Sequence, residues 1–211
     1  MKLIENRVEL INYFIEKNNY INYLEIGVKD AGTFRQIKIP HKDGVDPGRE
    51  SHNPPEVNYP ITSDEFFKLI EGHNIKYDII FIDGLHLWEQ VDKDINNSLN
   101  HLTDNGVIIL HDCNPLKEEH QIRNFIPGSL WNGDVWKAIL KHRIENNNII
   151  INTISTDHGL GIIKKGKQKK YIPKEKIESY YDVSFSTLEK DRKNILNLIT
   201  PKEFLNLNIK I

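Results

Sequence analysis

The sequence predicts an α/β fold, a mostly parallel sheet with helices on both faces. Two observations carry this expectation. Apolar runs of strand length alternate with segments whose apolar residues recur at helical spacing. The run Tyr77-Asp78-Ile79-Ile80-Phe81-Ile82-Asp83 is nearly continuous in apolar residues, as a parallel strand covered on both faces should be.

The elements follow in order. Leu3, Ile4, Val8, Ile11, Phe14 and Ile15 predict an amphipathic helix over 3–18, ended by Asn18-Asn19. Residues 20–27 form a β-rich run that stops at Gly27, the first strand. Residues 31–39 predict a short helix stopped by Pro40, and 42–47 a second strand ending on Asp46-Pro47. The polar stretch 48–56, with Pro54-Pro55, is a loop, and 57–61 a short third strand. Ser63 opens a helix, with acids in its first turn. Residues 77–83 are the fourth strand, 86–101 a helix, Asn105-Gly106 a turn and 107–112 the fifth strand. The stretch 115–133 has no period, and a loop that long in a compact domain is usually functional or mobile. Residues 134–143 read as a helix; 149–154 and 159–164 are a closing pair of strands joined by Thr156-Asp157-His158. The tail from 172 reads as one or two packed helices. The expectation is one domain over 1–211, divided into an N-terminal helix (1–19), a core (20–165) and a helical tail (166–211).

Composition narrows the function classes. A chain of 211 residues with 38% hydrophobic and 27% charged residues is ordinary for a soluble globular domain. Its formal net charge of -2 provides no basic field to draw nucleic acid. The cluster Lys164, Lys165, Lys167, Lys169 and Lys170 reads as a solvated turn. Cys113 stands alone, which excludes an intrachain disulfide and a Cys-based zinc site. Residues 1–7 are interrupted by charge and lack a signal-peptide core, and no apolar run approaches the roughly 20 residues of a membrane helix. A cytoplasmic protein without membrane or nucleic-acid partners is expected.

In parallel sheets, ligands sit beyond the carboxyl ends of the strands. The first end is Glu25-Ile26-Gly27, followed by Gly32; glycine there permits close backbone approach to a ligand, or simply a tight strand-to-helix turn. Lys29 stands where a dinucleotide fingerprint would place its second glycine, which disfavours NAD. The second end, Asp46, suits a contact to both ribose hydroxyls, the other reading being an Asp-Pro turn. Ser63 and Asp64 suit an adenine edge or a helix cap. Asp83-Gly84-Leu85-His86 and His111-Asp112 end neighbouring strands, so two carboxylates and two imidazoles converge. That set suits a divalent ion such as Mg²⁺ or Mn²⁺, and a histidine there can take a proton from a hydroxyl; the other reading is loop capping.

Taken in order, Tyr23-Leu24-Glu25-Ile26-Gly27, Gly44-Val45-Asp46-Pro47, Thr62-Ser63-Asp64-Glu65-Phe66-Phe67, Phe81-Ile82-Asp83-Gly84-Leu85-His86 and Gly106-Val107-Ile108-Ile109-Leu110-His111-Asp112 resemble class I S-adenosylmethionine-dependent methyltransferases. The resemblance runs over about 20–165 and is to the small bacterial branch related to natural-product and sugar O-methyltransferases. Gly133-Asp134-Val135-Trp136-Lys137 and His158-Gly159-Leu160-Gly161 also look like elements of that branch. It implies a Rossmann-like, seven-stranded sheet with an antiparallel last strand. It implies that Glu25, Gly27 and Asp46 hold S-adenosylmethionine, with Gly32 and Asp83 nearby and Ser63 and Asp64 beside adenine. In sugar-methylating relatives an Asp ending the fourth strand binds Mg²⁺ and a His three residues on is the proposed base; Asp83 and His86 match that spacing. Two acids follow the fifth strand in those relatives, where this chain has His111-Asp112.

The expected mechanism therefore places a divalent ion on Asp83, His111 and Asp112, and proton acceptance on His86. The 115–133 loop, with Trp131 and Trp136, closes over a small-molecule or sugar acceptor, or those two rings simply pack the loop onto the body. Trp88 reads as core. His41, His52, His73, His101, His120, His142 and His158 carry no clear signal. The N-terminal helix and the tail leave a homo-oligomer open. The rival readings are an NAD-dependent oxidoreductase, a non-catalytic nucleoside-binding protein, and a methyltransferase acting on nucleic acid or protein. Asn53-Pro54-Pro55 resembles an amino-methylating motif only superficially, because it lies after the second strand.

Overall fold

Apolar strands bounded by amphipathic helices can bury both sheet faces only if the helices divide between them. The computed structural model describes residues 2–48 and 54–209 and has this arrangement. The order is α1 (Arg7–Asn18), β1 (Asn22–Ile26), β2 (His41–Val45), α2 (Ser63–Leu69), β3 (Tyr77–Ile82), α3 (Trp88–His101) and β4 (Leu102–Leu110). Then come α4 (Trp136–Glu145), β5 (Ile149–Ile154), β6 (Leu160–Lys165), α5 (Phe185–Ile195), β7 (Leu198–Ile199) and α6 (Pro201–Ile209). The described residues form one seven-stranded sheet in the order β2-β1-β3-β4-β6-β5-β7. Pairings among β2, β1, β3 and β4 are parallel; β6 runs antiparallel to both β4 and β5.

Strand alternation sorts the core in two. Leu24, Ile26, Ile80, Ile82, Ile108 and Leu110 face α2, α3, α4 and α5. Tyr23, Ile79, Phe81, Val107 and Ile109 face α1 and α6 on the other side.

Several expectations shift. The 57–61 segment is no strand: it meets Val45 through a single bridge at Tyr59, and Pro60 has no N–H to continue a ladder. The seventh strand is instead Leu198–Ile199, beside β5. The helix expected over 31–39 is one 3-10 turn, Phe34–Gln36, because Lys29 and Ala31 take left-handed φ values of 52° and 62°. Asn105-Gly106 lies within β4, where the register with β3 shifts, instead of forming a separate turn. The cap of α2 is Thr62, not Ser63: its Oγ1 accepts from the Glu65 N–H at 3.3 Å, and Glu65 accepts from the Thr62 N–H at 2.9 Å. Residues 49–53 of the expected 48–56 loop, with His52 and Asn53, lie outside the described residues. No helix among the described residues is long and apolar enough to cross a membrane.

The tail is integral to the fold. Thr200 and Glu203 form a reciprocal capping box at the start of α6, with Pro201 in its first turn. Phe204 is 3% exposed and packs edge-on against Tyr13 and Phe14 of α1. Replacing Phe204→Ala should cost about 3–5 kcal/mol in denaturant unfolding. A change under about 1 kcal/mol would show that the tail is not part of the core.

Candidate functional site

The parallel register brings four strand ends level, with Ile26 beside Val45 and Ile82, and Ile82 beside Leu110. Ladder hydrogen bonds run one residue further: the N–H groups of Gly27, Asp83 and His111 donate to Val45, Ile26 and Ile82 carbonyls at 2.8, 2.8 and 3.1 Å. Gly27 sits at φ 89°, where a Cβ would lie 2.3 Å from the Asp83 carbonyl oxygen. The sheet order changes direction between β1 and β3, the place where such sheets open a crevice.

A cleft of about 1130 Å³ lies there. Every residue expected to bind the cofactor lines it: Glu25, Gly27, Gly32, Asp46, Ser63, Asp64 and Asp83. Asp46 takes the Lys29 and Gly48 N–H groups on its two oxygens, each at 2.7 Å, so its carboxylate is held at the cleft by the turns flanking it. Because Thr62 is the cap, the Ser63 hydroxyl is left to meet Gln90 Nε2 at 3.2 Å, and Asp64 accepts from the same amide at 2.9 Å. Glu25 is 1% exposed and accepts a hydrogen bond from the Tyr23 hydroxyl. Burial, reinforced by the Asp83 charge, outweighs that bond and raises its carboxyl to about 8.

In the same cleft the expected polar cluster assembles. Asp83 Oδ1 lies 3.4 Å from His86 Nε2 and 3.3 Å from His111 Nδ1. Asp112 Oδ2 lies 3.3 Å from His86 Nδ1 and 2.9 Å from His111 Nδ1. Both Nδ1 atoms are buried and, although close to these oxygens, neither makes a well-directed hydrogen bond. Donor atoms of Asp83, His86 and Asp112 all come within 4.8 Å of one another. Two carboxylates, an imidazole and misdirected buried nitrogens fit a small divalent cation. His111 is differently placed. Its Nε2 faces Asp157 Oδ1 at 3.3 Å; burial opposes its charge, but Asp112, Asp157 and Asp83 together raise it to about 11. Burial likewise disfavours the Asp83 anion, yet His111, His86 and Arg7 hold its carboxyl well below the usual range.

The backbone aims these side chains. Asp112 has a left-handed φ of 60°, and its Oδ1 accepts from Asn132 Nδ2 at 2.7 Å. Gly133, at φ 59°, passes beneath His86: a Cβ there would be 1.9 Å from the His86 carbonyl oxygen, which accepts the Asp134 N–H at 3.1 Å. The Trp131 ring stacks on His86 at 4.6 Å and 14°. Trp136, by contrast, is a fully buried core residue, and Trp88 packs partly buried on the same core. The 115–133 segment contains a 3-10 turn, Glu118–Gln121, and presents Phe125 and Leu130 to the cleft, 47% and 57% exposed.

Sequence reasoning missed Arg7, Gln90, Asp94, Asp157 and His158. Arg7 reaches from α1 to Asp83 Oδ2 at 2.8 Å and pairs with Asp157. Asp94, on the buried side of α3, lines the cleft; burial raises its carboxyl to about 6. The one available signal was an acid at a position of α3 whose periodicity is otherwise apolar, beside Val91 and Ile95.

Two measurements test this geometry. Gly27→Ala should push β1 from β3 and cost about 1–3 kcal/mol in denaturant unfolding; unchanged stability would show that the strand ends need not touch. Between its ordinary value and about 8, folded Glu25 keeps a proton that the unfolded chain releases, so its contribution to stability falls as pH rises through that window. Glu25→Gln removes this loss. Its melting temperature should gain on the wild type from about pH 5 to about pH 8 and then level off. A pH-independent offset would mean that Glu25 is ionised throughout.

Residues 28–113 match a family model described as a methyltransferase domain. No curated protein matches the sequence. Among solved structures, a protein proposed to be a caffeoyl-CoA O-methyltransferase from Staphylococcus aureus is 22% identical, with TM-score 0.55, covering 77% of this chain and 85% of that one. An O-methyltransferase from Bacillus cereus in complex with SAH is 16% identical, with TM-score 0.51, covering 74% and 78%. The O-methyltransferase TomG from Streptomyces achromogenes, in complex with SAM, is 10% identical, with TM-score 0.54, covering 75% and 79%. These structures share the fold. The matched domain model spans the ends of β2, β3 and β4.

Proposed function

We propose that this chain is an S-adenosylmethionine-dependent methyltransferase, that it transfers the methyl group to a hydroxyl of a small molecule, and that a divalent cation takes part. The observation that carries the reading is the convergence of Asp83, His86 and Asp112 in the cleft that Ser63 and Asp64 also line. S-adenosylmethionine, when bound, supplies an electrophilic methyl group on its sulfonium. Glu25 and Asp46 would accept from the ribose hydroxyls, and Ser63, Asp64 and Gln90 would meet the adenine edge. Asp83 and Asp112 would hold the cation, which, when bound, lowers the pKa of a neighbouring hydroxyl. His86 accepts the proton, at Nδ1 or Nε2, as the hydroxyl oxygen attacks. Trp131, stacked on His86, holds the imidazole plane and keeps water from its exposed side.

The cleft wall around His86 supports this choice of acceptor. Phe125, Leu130 and Trp131 offer apolar surface beside the polar cluster, which suits a hydroxyl carried on a ring, a sugar or a phenol. An NAD-dependent reading is not favoured: Lys29, in the left-handed conformation, stands at the place of the second fingerprint glycine.

Calorimetry with S-adenosylhomocysteine, with and without Mg²⁺, tests the cofactor site. Binding lost in Asp46→Ala supports it; no binding by the wild type overturns it. His86→Ala should lower turnover on a hydroxyl acceptor by about 100-fold or more while keeping Mn²⁺ affinity. Lost Mn²⁺ binding in that variant would make His86 a ligand instead of the base.

A further inference from the structure

Resting on the cation reading above, we infer that Arg7 is a positioning residue for Asp83 and makes helix α1 part of the site. Arg7 Nη1 donates to Asp83 Oδ2 at 2.8 Å. Its Nε and Nη2 donate to Asp157 Oδ2 and Oδ1 at 2.9 and 3.0 Å, and its backbone N–H donates to Asp157 Oδ2 at 2.8 Å. The guanidinium is thus clamped by Asp157 in a fork and presents its remaining edge to Asp83. With Oδ2 held, Asp83 is left with Oδ1 as the oxygen turned toward His86 and His111. A carboxylate tethered on one oxygen cannot rotate freely, so the other oxygen keeps a fixed direction.

The clamp is itself rigidly mounted. Asp157 and His158 lie on the β5–β6 turn with φ of 44° and 62°, and Thr156 Oγ1 donates to the Glu5 carbonyl at 2.8 Å. On the other side, Leu10, Ile11 and Phe14 bury α1 against the sheet. Neither end of the bridge can move without disturbing the core. A lysine cannot replace this arrangement, because an ammonium has no planar fork to engage Asp157 and Asp83 together.

The proposal predicts a sign that charge alone would reverse. Removing a positive charge beside a cation site should tighten cation binding by Coulomb's law. Removing an orienting hydrogen bond should weaken it. The test is titration of the purified full chain with Mn²⁺, followed by calorimetry or electron paramagnetic resonance, beside a titration with S-adenosylhomocysteine. Arg7→Gln should bind Mn²⁺ about tenfold more weakly, with S-adenosylhomocysteine affinity within about twofold of wild type. Arg7→Lys should be weakened as well, despite its charge. Asp157→Asn, which loosens the fork and leaves the guanidinium in place, should show the same loss and serves if Arg7→Gln does not fold. Equal or tighter Mn²⁺ binding in Arg7→Gln overturns the inference while leaving the cation reading intact. A wild type that binds S-adenosylhomocysteine but no Mn²⁺ overturns the cation reading, and this inference with it.

Discussion

The close passage of the chain at Gly27 against the Asp83 backbone is the constraint on which the rest of the site depends. Only a residue without Cβ, at a φ of 89°, lets β1 end within contact of the residue that ends β3. That contact makes the strand ends level, and level ends put Glu25 and Asp46 in one cleft with Asp83, His86, His111 and Asp112. The ladder bonds from Gly27, Asp83 and His111 then fix three site residues by backbone geometry, before any side chain is considered.

The polar cluster illustrates how buried charge is sustained. Asp83, Asp112 and Asp157 lie close together and are mostly buried, which would be costly for unpaired carboxylates. Arg7 and His111, whose imidazole these carboxylates raise to about 11, stand among them, and Asn132 satisfies the remaining Asp112 oxygen. The same residues anchor the loops. The Asn132 N–H donates to His120, Trp131 Nε1 donates to Ile122, and Arg123 bridges Asp134 and Glu89. The 115–133 segment, aperiodic in sequence, is therefore tied down around the cluster by specific polar bonds, and its exposed apolar residues form the outer wall of the cleft.

Much of the fold was legible because strand and helix periods are local. The strands at 22–26, 41–45, 77–82, 149–154 and 160–165 lie within or one residue beyond the expected spans, and the helices at 7–18 and 88–101 lie inside theirs. The departures have nonlocal causes. Leu198 and Ile199 form a two-residue strand because β5 leaves an open edge there, a fact no two-residue pattern can announce. Residues 57–61 have a strand composition, but Pro60 and a single partner leave them as one bridge. Asn105-Gly106 reads as a turn by its dipeptide, yet pairing with β3 extends the strand through it with a register shift.

By itself the sequence determined the residues at the strand ends: glycine at 27, acids at 25, 46, 83 and 112, and histidines at 86 and 111. Gly27, Asp83 and His111 directly follow apolar runs whose period is visible within a few residues. It also contained the local caps, although the cap of α2 was one residue from its expected place. Tertiary structure decided which side chains surround those ends. Arg7 is 76 residues from Asp83 and 150 from Asp157, Asn132 is 20 from Asp112, and Asp94 reaches the cleft only because α3 packs with that face inward. Such meetings depend on how helices and turns dock across the sheet. Local periodicity carries no record of that docking, since the energy of each pairing exists only once the sheet has brought both partners to the same end of the strands.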